Sequence, residues 1–243
     1  MENNTLLKIE RLSKNFGGIQ AVSSFDLKVE CGDIHCLIGP NGAGKTTVFK
    51  MITGVYKPSS GRIFYKNRDI TAMTPSNRAR SGIGIKMQVP GVFGELTLRD
   101  NLRIAMANFL PPKATIAERE ERIDYLVERV KIQDLGDPLV KNMTHGQQQW
   151  LEIAMALASD PELLLLDELA AGFGPEETTF TAELVKELNS QGLTILFIDH
   201  DMDFVRQIAK NVTVMHNGKF FAAGTMDEVS QNEAVIRIYL GKS

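Results

Sequence analysis

The chain has 243 residues, 43% hydrophobic and 23% charged, a composition that excludes intrinsic disorder and suits one α/β domain with room for a smaller inserted subdomain. A formal charge of -3 supplies no broad positive field, so nucleic acid is not an expected partner, and no apolar run approaches the roughly 18 residues of a membrane span. The opening Met1-Glu2-Asn3-Asn4-Thr5 lacks the basic and apolar regions of a signal peptide, which predicts a cytoplasmic protein whose membrane link is made through a partner.

In chain order, β-like runs cover residues 6–12, 25–29 and 34–38, with Glu30-Cys31-Gly32-Asp33 turning the second into the third and antiparallel pairing expected among them. A glycine loop follows, then a helix over 45–53 stopped by Gly54, a turn at Pro58-Ser59-Ser60-Gly61, and strands over 62–65 and 83–87. From residue 89 the texture becomes polar and helical, broken at Pro111-Pro112, with Ile123, Leu126, Val127 and Val130 forming an apolar stripe. A helix over 145–158 carries Trp150, Ile153, Ala154 and Leu157 on one side. Apolar strands over 163–166 and 194–198, separated by a helix bearing Phe180, Leu184, Val185 and Leu188, indicate a parallel sheet covered on both faces. Asn217-Gly218 reads as a hairpin turn, two short amphipathic helices close the chain, and Cys31 and Cys36, without C-x-x-C spacing, read as small buried side chains. The fold class is therefore α/β with a mainly parallel sheet, an N-terminal antiparallel β subdomain and an inserted α-helical subdomain. One domain spans 1–243, divided at 1–88, 89–158 and 159–243.

Gly39-Pro40-Asn41-Gly42-Ala43-Gly44-Lys45-Thr46 fits G-x-x-x-x-G-K-[ST] and lies between an apolar strand and a helix, the context that a P-loop NTPase (RecA-like) core requires. Glycines let several backbone N–H groups converge on a polyphosphate, and the helix adds its positive N-terminal end. Lys45 then reaches the β- and γ-phosphates of ATP, Thr46 offers its hydroxyl to Mg²⁺, and Thr47 adds a contact toward the α-phosphate. Leu163-Leu164-Leu165-Leu166-Asp167-Glu168 ends a buried strand in two acids at the sheet edge that carries the P-loop. Asp167 suits the Mg²⁺ shell and Glu168 suits orienting and deprotonating the attacking water. Taken alone, such strand-end acids are more often helix caps.

Thr144-His145-Gly146-Gln147-Gln148-Gln149 stands before a helix about 20 residues ahead of the acidic strand, and the segment 143–147 resembles the ABC signature, usually Leu-Ser-Gly-Gly-Gln. With Gln88 at the Q-loop position and His200 at the switch position, the chain is similar to ABC transporter ATPases over essentially its whole length. The resemblance implies that Gln88 contacts Mg²⁺ and water and senses a transmembrane permease, and that His200 contacts the γ-phosphate and holds Glu168. It also implies that Thr144, His145, Gly146 and Gln147 meet the γ-phosphate held by another subunit, giving two composite sites in a head-to-tail dimer. A hydroxyl and a glycine at a helix N-terminus also make an anion site on physical grounds, although a plain N-cap explains Thr144 equally well. Phe16 resembles the aromatic that stacks on adenine, with a core role as the alternative.

The signature helix, Ala170-Ala171-Gly172 and the ending through Tyr239-Leu240-Gly241 resemble the importer group for branched-chain amino acids, urea and short amides; the segment 211–219 leans toward the urea type. That implies two ATPase subunits, identical or paired with a sister subunit, beneath permeases fed by a solute-binding protein, with Phe93 and Leu96 contributing to the permease groove. Lipopolysaccharide export is a close rival. A non-transport ABC ATPase is a rival from another class, disfavoured by the short stretch between Gln88 and the signature, and a nucleotide-switched binding module a third. Three positions depart from the family pattern: Leu169 where proline is common, Gly174 where the D-loop has aspartate or asparagine, and His145 where the signature has glycine.

Overall fold

A computed structural model of the chain describes residues 4–87, 91–109 and 114–240; Gln88, Pro111-Pro112 and Gly241 lie outside these residues. The N-terminal part is a four-stranded antiparallel sheet built from β1 (Thr5–Phe16), β2 (Ile19–Glu30), β4 (Ser60–Tyr65) and β5 (Arg68–Asp69), in the order β2-β1-β4-β5. Between β2 and β4 come β3 (Ile34–Ile38) and α1 (Lys45–Ile52). After α2 (Pro75–Arg80) and β6 (Ile83–Lys86), three helices, α3 (Leu98–Met106), α4 (Ile116–Arg129) and α5 (His145–Leu157), intervene before β7 (Leu163–Asp167). The chain continues through α6 (Pro175–Ser190), β8 (Thr194–Ile198), α7 (Met202–Ile208), β9 (Asn211–His216), β10 (Lys219–Gly224), α8 (Met226–Gln231) and α9 (Glu233–Leu240).

The second sheet has six strands in the order β10-β9-β3-β8-β7-β6, parallel throughout except for the β9–β10 hairpin at Asn217-Gly218. Strand alternation sorts the core onto its two faces. Leu163 and Leu165 join Leu37, Leu196 and Ile198 under α1 and the antiparallel sheet, while Leu164 and Leu166 join Cys36, Ile195 and Phe197 under the helices. Both faces are covered, so these strands read as continuous apolar runs. Pairing of Lys86 with Leu166 and of Asp167 with Ile198 brings the C-terminal ends of β6, β7 and β8 level with the end of β3. The site stands at that edge.

Three expectations require correction. The Glu30–Asp33 turn does not join paired strands, because every residue of β3 is buried and the strand enters the centre of the parallel sheet. Cys31, on that turn, is exposed; Cys36, inside β3, is buried as expected. The antiparallel strands also run longer than their apolar pattern, since the hairpin end around Lys14, Asn15 and Gln20 has no buried face to alternate.

Candidate active site

The P-loop begins where Ile38 leaves the sheet. A β-carbon on Gly39 would lie 2.1 Å from the Met215 carbonyl oxygen, and one on Gly44, whose φ is 103°, would lie 2.6 Å from the Ala21 carbonyl oxygen. Only glycine lets the loop pass this close to β9 and β2. Ala43 donates its N–H to Pro40 O at 3.1 Å, and Gly218 donates to Ala43 O at 3.0 Å, which fixes the loop against the β9–β10 turn. Among the described residues no side chain caps α1 at Gly44, so its N-terminal end faces the loop with the free N–H groups that an anion site requires. Lys45 is buried, and its Nζ donates to the carbonyls of Gly39 at 2.7 Å and Pro40 at 3.1 Å. Burial pushes its pKa down, with Asp167 and Glu168 opposing that shift.

A cleft of about 490 Å³ is lined by Ala21, Asn41, Gly42, Ala43, Gly44, Lys45, Thr46, Thr47, Glu168, Ile198 and His200. The structure thus gathers the P-loop, the second strand-end acid and the switch-position histidine around one space. His200 Nε2 lies 3.5 Å from Glu168 Oε1. Glu168 sits at φ 55°, a left-handed conformation rare for a side chain with a β-carbon, and donates its N–H to Ile198 O at 2.9 Å. Asp167 is buried beside it, and its Oδ2 has no hydrogen-bond partner among the described residues. Burial, then the charge of Glu168, pushes its carboxyl up to about 6, while Lys86 and Lys45 pull the other way.

An orphaned buried carboxylate oxygen beside a phosphate loop fits a divalent cation. Among the described residues no group of three or more His, Cys, Asp or Glu could hold a metal. A cation here therefore needs phosphate and water oxygens beside Asp167 and the Thr46 hydroxyl, a composition that suits Mg²⁺.

The remaining predicted residues lie apart from the cleft. Phe16 is 40% exposed and is not in its lining; the ring meets Tyr56 edge-on at 5.2 Å, with the Lys14 ammonium 5.0 Å from its centre. It is not a core residue. Thr144 caps α5 through a capping box, accepting from Gln147 N at 3.2 Å while Gln147 Oε1 accepts from Thr144 N at 3.0 Å. His145 turns toward the loop after β7, its Nε2 3.3 Å from Ala171 O and its ring 6.0 Å from that of Phe173. Gly146 is buried against Glu177 of α6. None of these four lines the cleft. Gln88 lies outside the described residues.

Two residues at the sheet edge escape a motif-based reading. Lys86, buried at the end of β6, has its Nζ 3.4 Å from Asp167 O, 3.3 Å from Glu168 O and 3.9 Å from Glu152 Oε2 of α5; the Glu152 carboxylate also accepts from Gly91 N. Asp199, buried between β8 and His200, accepts backbone N–H groups from both sides. Their shared signal was position, a charge at the end of an apolar strand on the ligand-binding edge.

Residues 22–171 match the family model described as ABC transporter. The chain belongs to that family. The high-affinity branched-chain amino acid transport ATP-binding protein LivG of Salmonella typhimurium is 37% identical over 98% of each chain, and BraF of Pseudomonas aeruginosa is 36% identical over the same shares. The lipopolysaccharide export system ATP-binding protein LptB of Acidithiobacillus ferridurans is 35% identical over 97% of each. Among solved structures, a nucleotide-free ATP-binding cassette from an ABC transporter superposes with a TM-score of 0.88 at 30% identity, covering 98% of this chain and all of that one. The ADP conformation of the cassette MJ1267 gives 0.87 at 30% identity, covering 98% and 99%. The chain is thus an ABC ATPase with the P-loop α/β fold that its sequence resembles.

Proposed function

We propose that this chain is the ATP-hydrolysing motor subunit of an importer for branched-chain amino acids or for urea and short amides. The observation that carries the motor reading is the Glu168–His200 pair facing the P-loop across one cleft, with Asp167 Oδ2 beside it lacking a hydrogen-bond partner among the described residues. Backbone N–H groups from Asn41 to Thr47 cradle the phosphates, and Lys45 exchanges its two loop carbonyls for β- and γ-phosphate oxygens. Thr46 and Asp167, with Gln88, would hold Mg²⁺, which would supply charge neutralisation for the phosphates. Glu168 orients the attacking water and takes its proton, and His200 keeps that carboxylate in place while reaching the γ-phosphate.

The loop of Thr144, His145, Gly146 and Gln147 lies outside the cleft of its own chain, which suits a contact made in trans. In this reading two ATPase subunits, identical or sisters, close on ATP and reopen after hydrolysis. Phe16 stacks on adenine; its exposed ring, propped by Tyr56, is available for this.

An apolar groove of about 300 Å³, lined in part by Val55, Pro75, Ala79, Ile85 and Met87, receives a permease helix in this reading. Phe93, half exposed and not in that lining, offers a separate apolar contact; its backbone is held by Asn101, which accepts from Phe93 N at 2.7 Å and donates to Phe93 O at 3.1 Å. The amino-acid reading is supported by the LivG and BraF relatives, and the LptB relative keeps lipopolysaccharide export as a second reading. The chain reconstituted in vesicles with its cognate permeases and solute receptor is expected to drive ATP-dependent uptake of radiolabelled leucine or urea. Absence of both, with ATP-dependent lipopolysaccharide extraction instead, would overturn the importer assignment.

A further inference from the structure

We propose that Asp199 is a positioning residue for hydrolysis: its buried carboxylate locks the strained turn that aims Glu168 into the cleft to the loop that presents His200, a role that rests on the reading of those two residues above. Glu168 adopts a φ of 55°, which its side chain does not favour, so the surrounding structure must hold it there. Besides the Ile198 and Lys86 contacts to the Glu168 backbone, holding contacts come from Asp199. Its Oδ2 accepts from Leu169 N at 3.0 Å and Ala170 N at 3.1 Å, the two residues after Glu168. Its Oδ1 accepts from His200 N at 2.8 Å and Asp201 N at 3.0 Å.

A carboxylate offers about four acceptor positions, and four N–H groups engage this one where water would otherwise solvate it. Asp199 is 4% exposed and does not line the cleft, so it acts through its neighbours rather than on nucleotide. Its own place is fixed because Ile198, the residue before it, pairs in the sheet with Asp167, the residue before Glu168. Leu169, buried in the helical-side core where the family pattern has proline, keeps a backbone N–H that proline would lack, and that N–H is one of the four donors.

Asparagine at this position supplies one acceptor oxygen and turns an amide toward one pair of N–H donors. In the full-length chain, Asp199→Asn is expected to leave ATP affinity and KM within about twofold while kcat falls at least tenfold, a loss of about 1.4 kcal/mol in transition-state stabilisation. Because Asp199 acts through Glu168, the same substitution in a Glu168→Gln background lowers the residual single-turnover rate less than twofold. Undiminished kcat in Asp199→Asn, equal loss of ATP affinity and kcat, or a full tenfold loss in the Glu168→Gln background would each overturn the proposal. Wild-type turnover in Glu168→Gln alone removes the reading of Glu168, and the proposal with it. If Asp199→Asn does not fold, Asp199→Glu carries the test, since it keeps both oxygens one methylene out of place: retained ATP affinity with reduced kcat supports the role, and unchanged kcat overturns it.

Discussion

Asp167 holds its proton up to about 6 in the folded, nucleotide-free chain, against 3.8 ordinarily, chiefly because burial penalises the charged form. The folded state therefore binds more protons than the unfolded state between these values. Ionising Asp167 costs stability progressively as the pH rises from about 4 through 6, and the full cost persists above that. Asp167→Asn should accordingly raise the unfolding free energy of the nucleotide-free chain at pH 8 by about 1–3 kcal/mol, with the difference shrinking toward pH 4. Urea titrations at the two pH values check this; a destabilised variant at pH 8 would contradict it. Lys45 makes the opposite case, a buried charge whose hydrogen-bond partners among the described residues are the carbonyls of Gly39 and Pro40. Lys45→Ala is expected to weaken ATP binding at least tenfold, in line with about 1.5–3 kcal/mol for a charge-assisted hydrogen bond, and fluorescence titration with unchanged affinity would count against the P-loop assignment.

At the scale of elements, α1 owes its C-terminal end to a residue far along the chain. Arg78 of α2 is buried and donates to Met51 O at 2.6 Å, Ile52 O at 2.7 Å, Thr71 O at 2.9 Å and Met73 O at 3.1 Å. Its positive charge also complements the helix dipole. Arg78→Met keeps most of the volume and loses the donors, so we expect a loss of about 2–4 kcal/mol in chemical denaturation, several orphaned carbonyls outweighing the apolar gain. Nothing in the sequence announces this, because α2 is short and polar and only Arg78 is buried in it. The Thr74-Pro75 start, an N-cap followed by proline at the first helical position, was its one local signal. By contrast β3, β7, β8 and α5 were legible almost to the residue, since central strands and a buried helix leave long apolar runs. The join from β2 to β3 was misread because adjacency in sequence suggests a hairpin, and the choice of sheet is made by burial on both faces.

For the whole molecule, one sheet edge collects motifs that lie more than 150 residues apart in the chain, and their order along the sequence made the P-loop, Glu168 and His200 of the cleft legible in advance. Asp199 and Lys86 were not, because each acts on backbone groups that only the folded edge brings near. Phe93→Asp alters a half-exposed ring without touching the Asn101 contacts to its backbone, so stability should stay within about 0.5 kcal/mol while co-purification with the permeases is lost. Retained co-purification would remove Phe93 from the permease contact. The motor reading itself meets its most direct test in Glu168→Gln. Single-turnover hydrolysis, equilibrium ATP binding and light-scattering mass, measured together on that variant, should give ATP affinity within about threefold of wild type, hydrolysis lowered at least a hundredfold, and an ATP-dependent dimer that persists. Hydrolysis at the wild-type rate would contradict it.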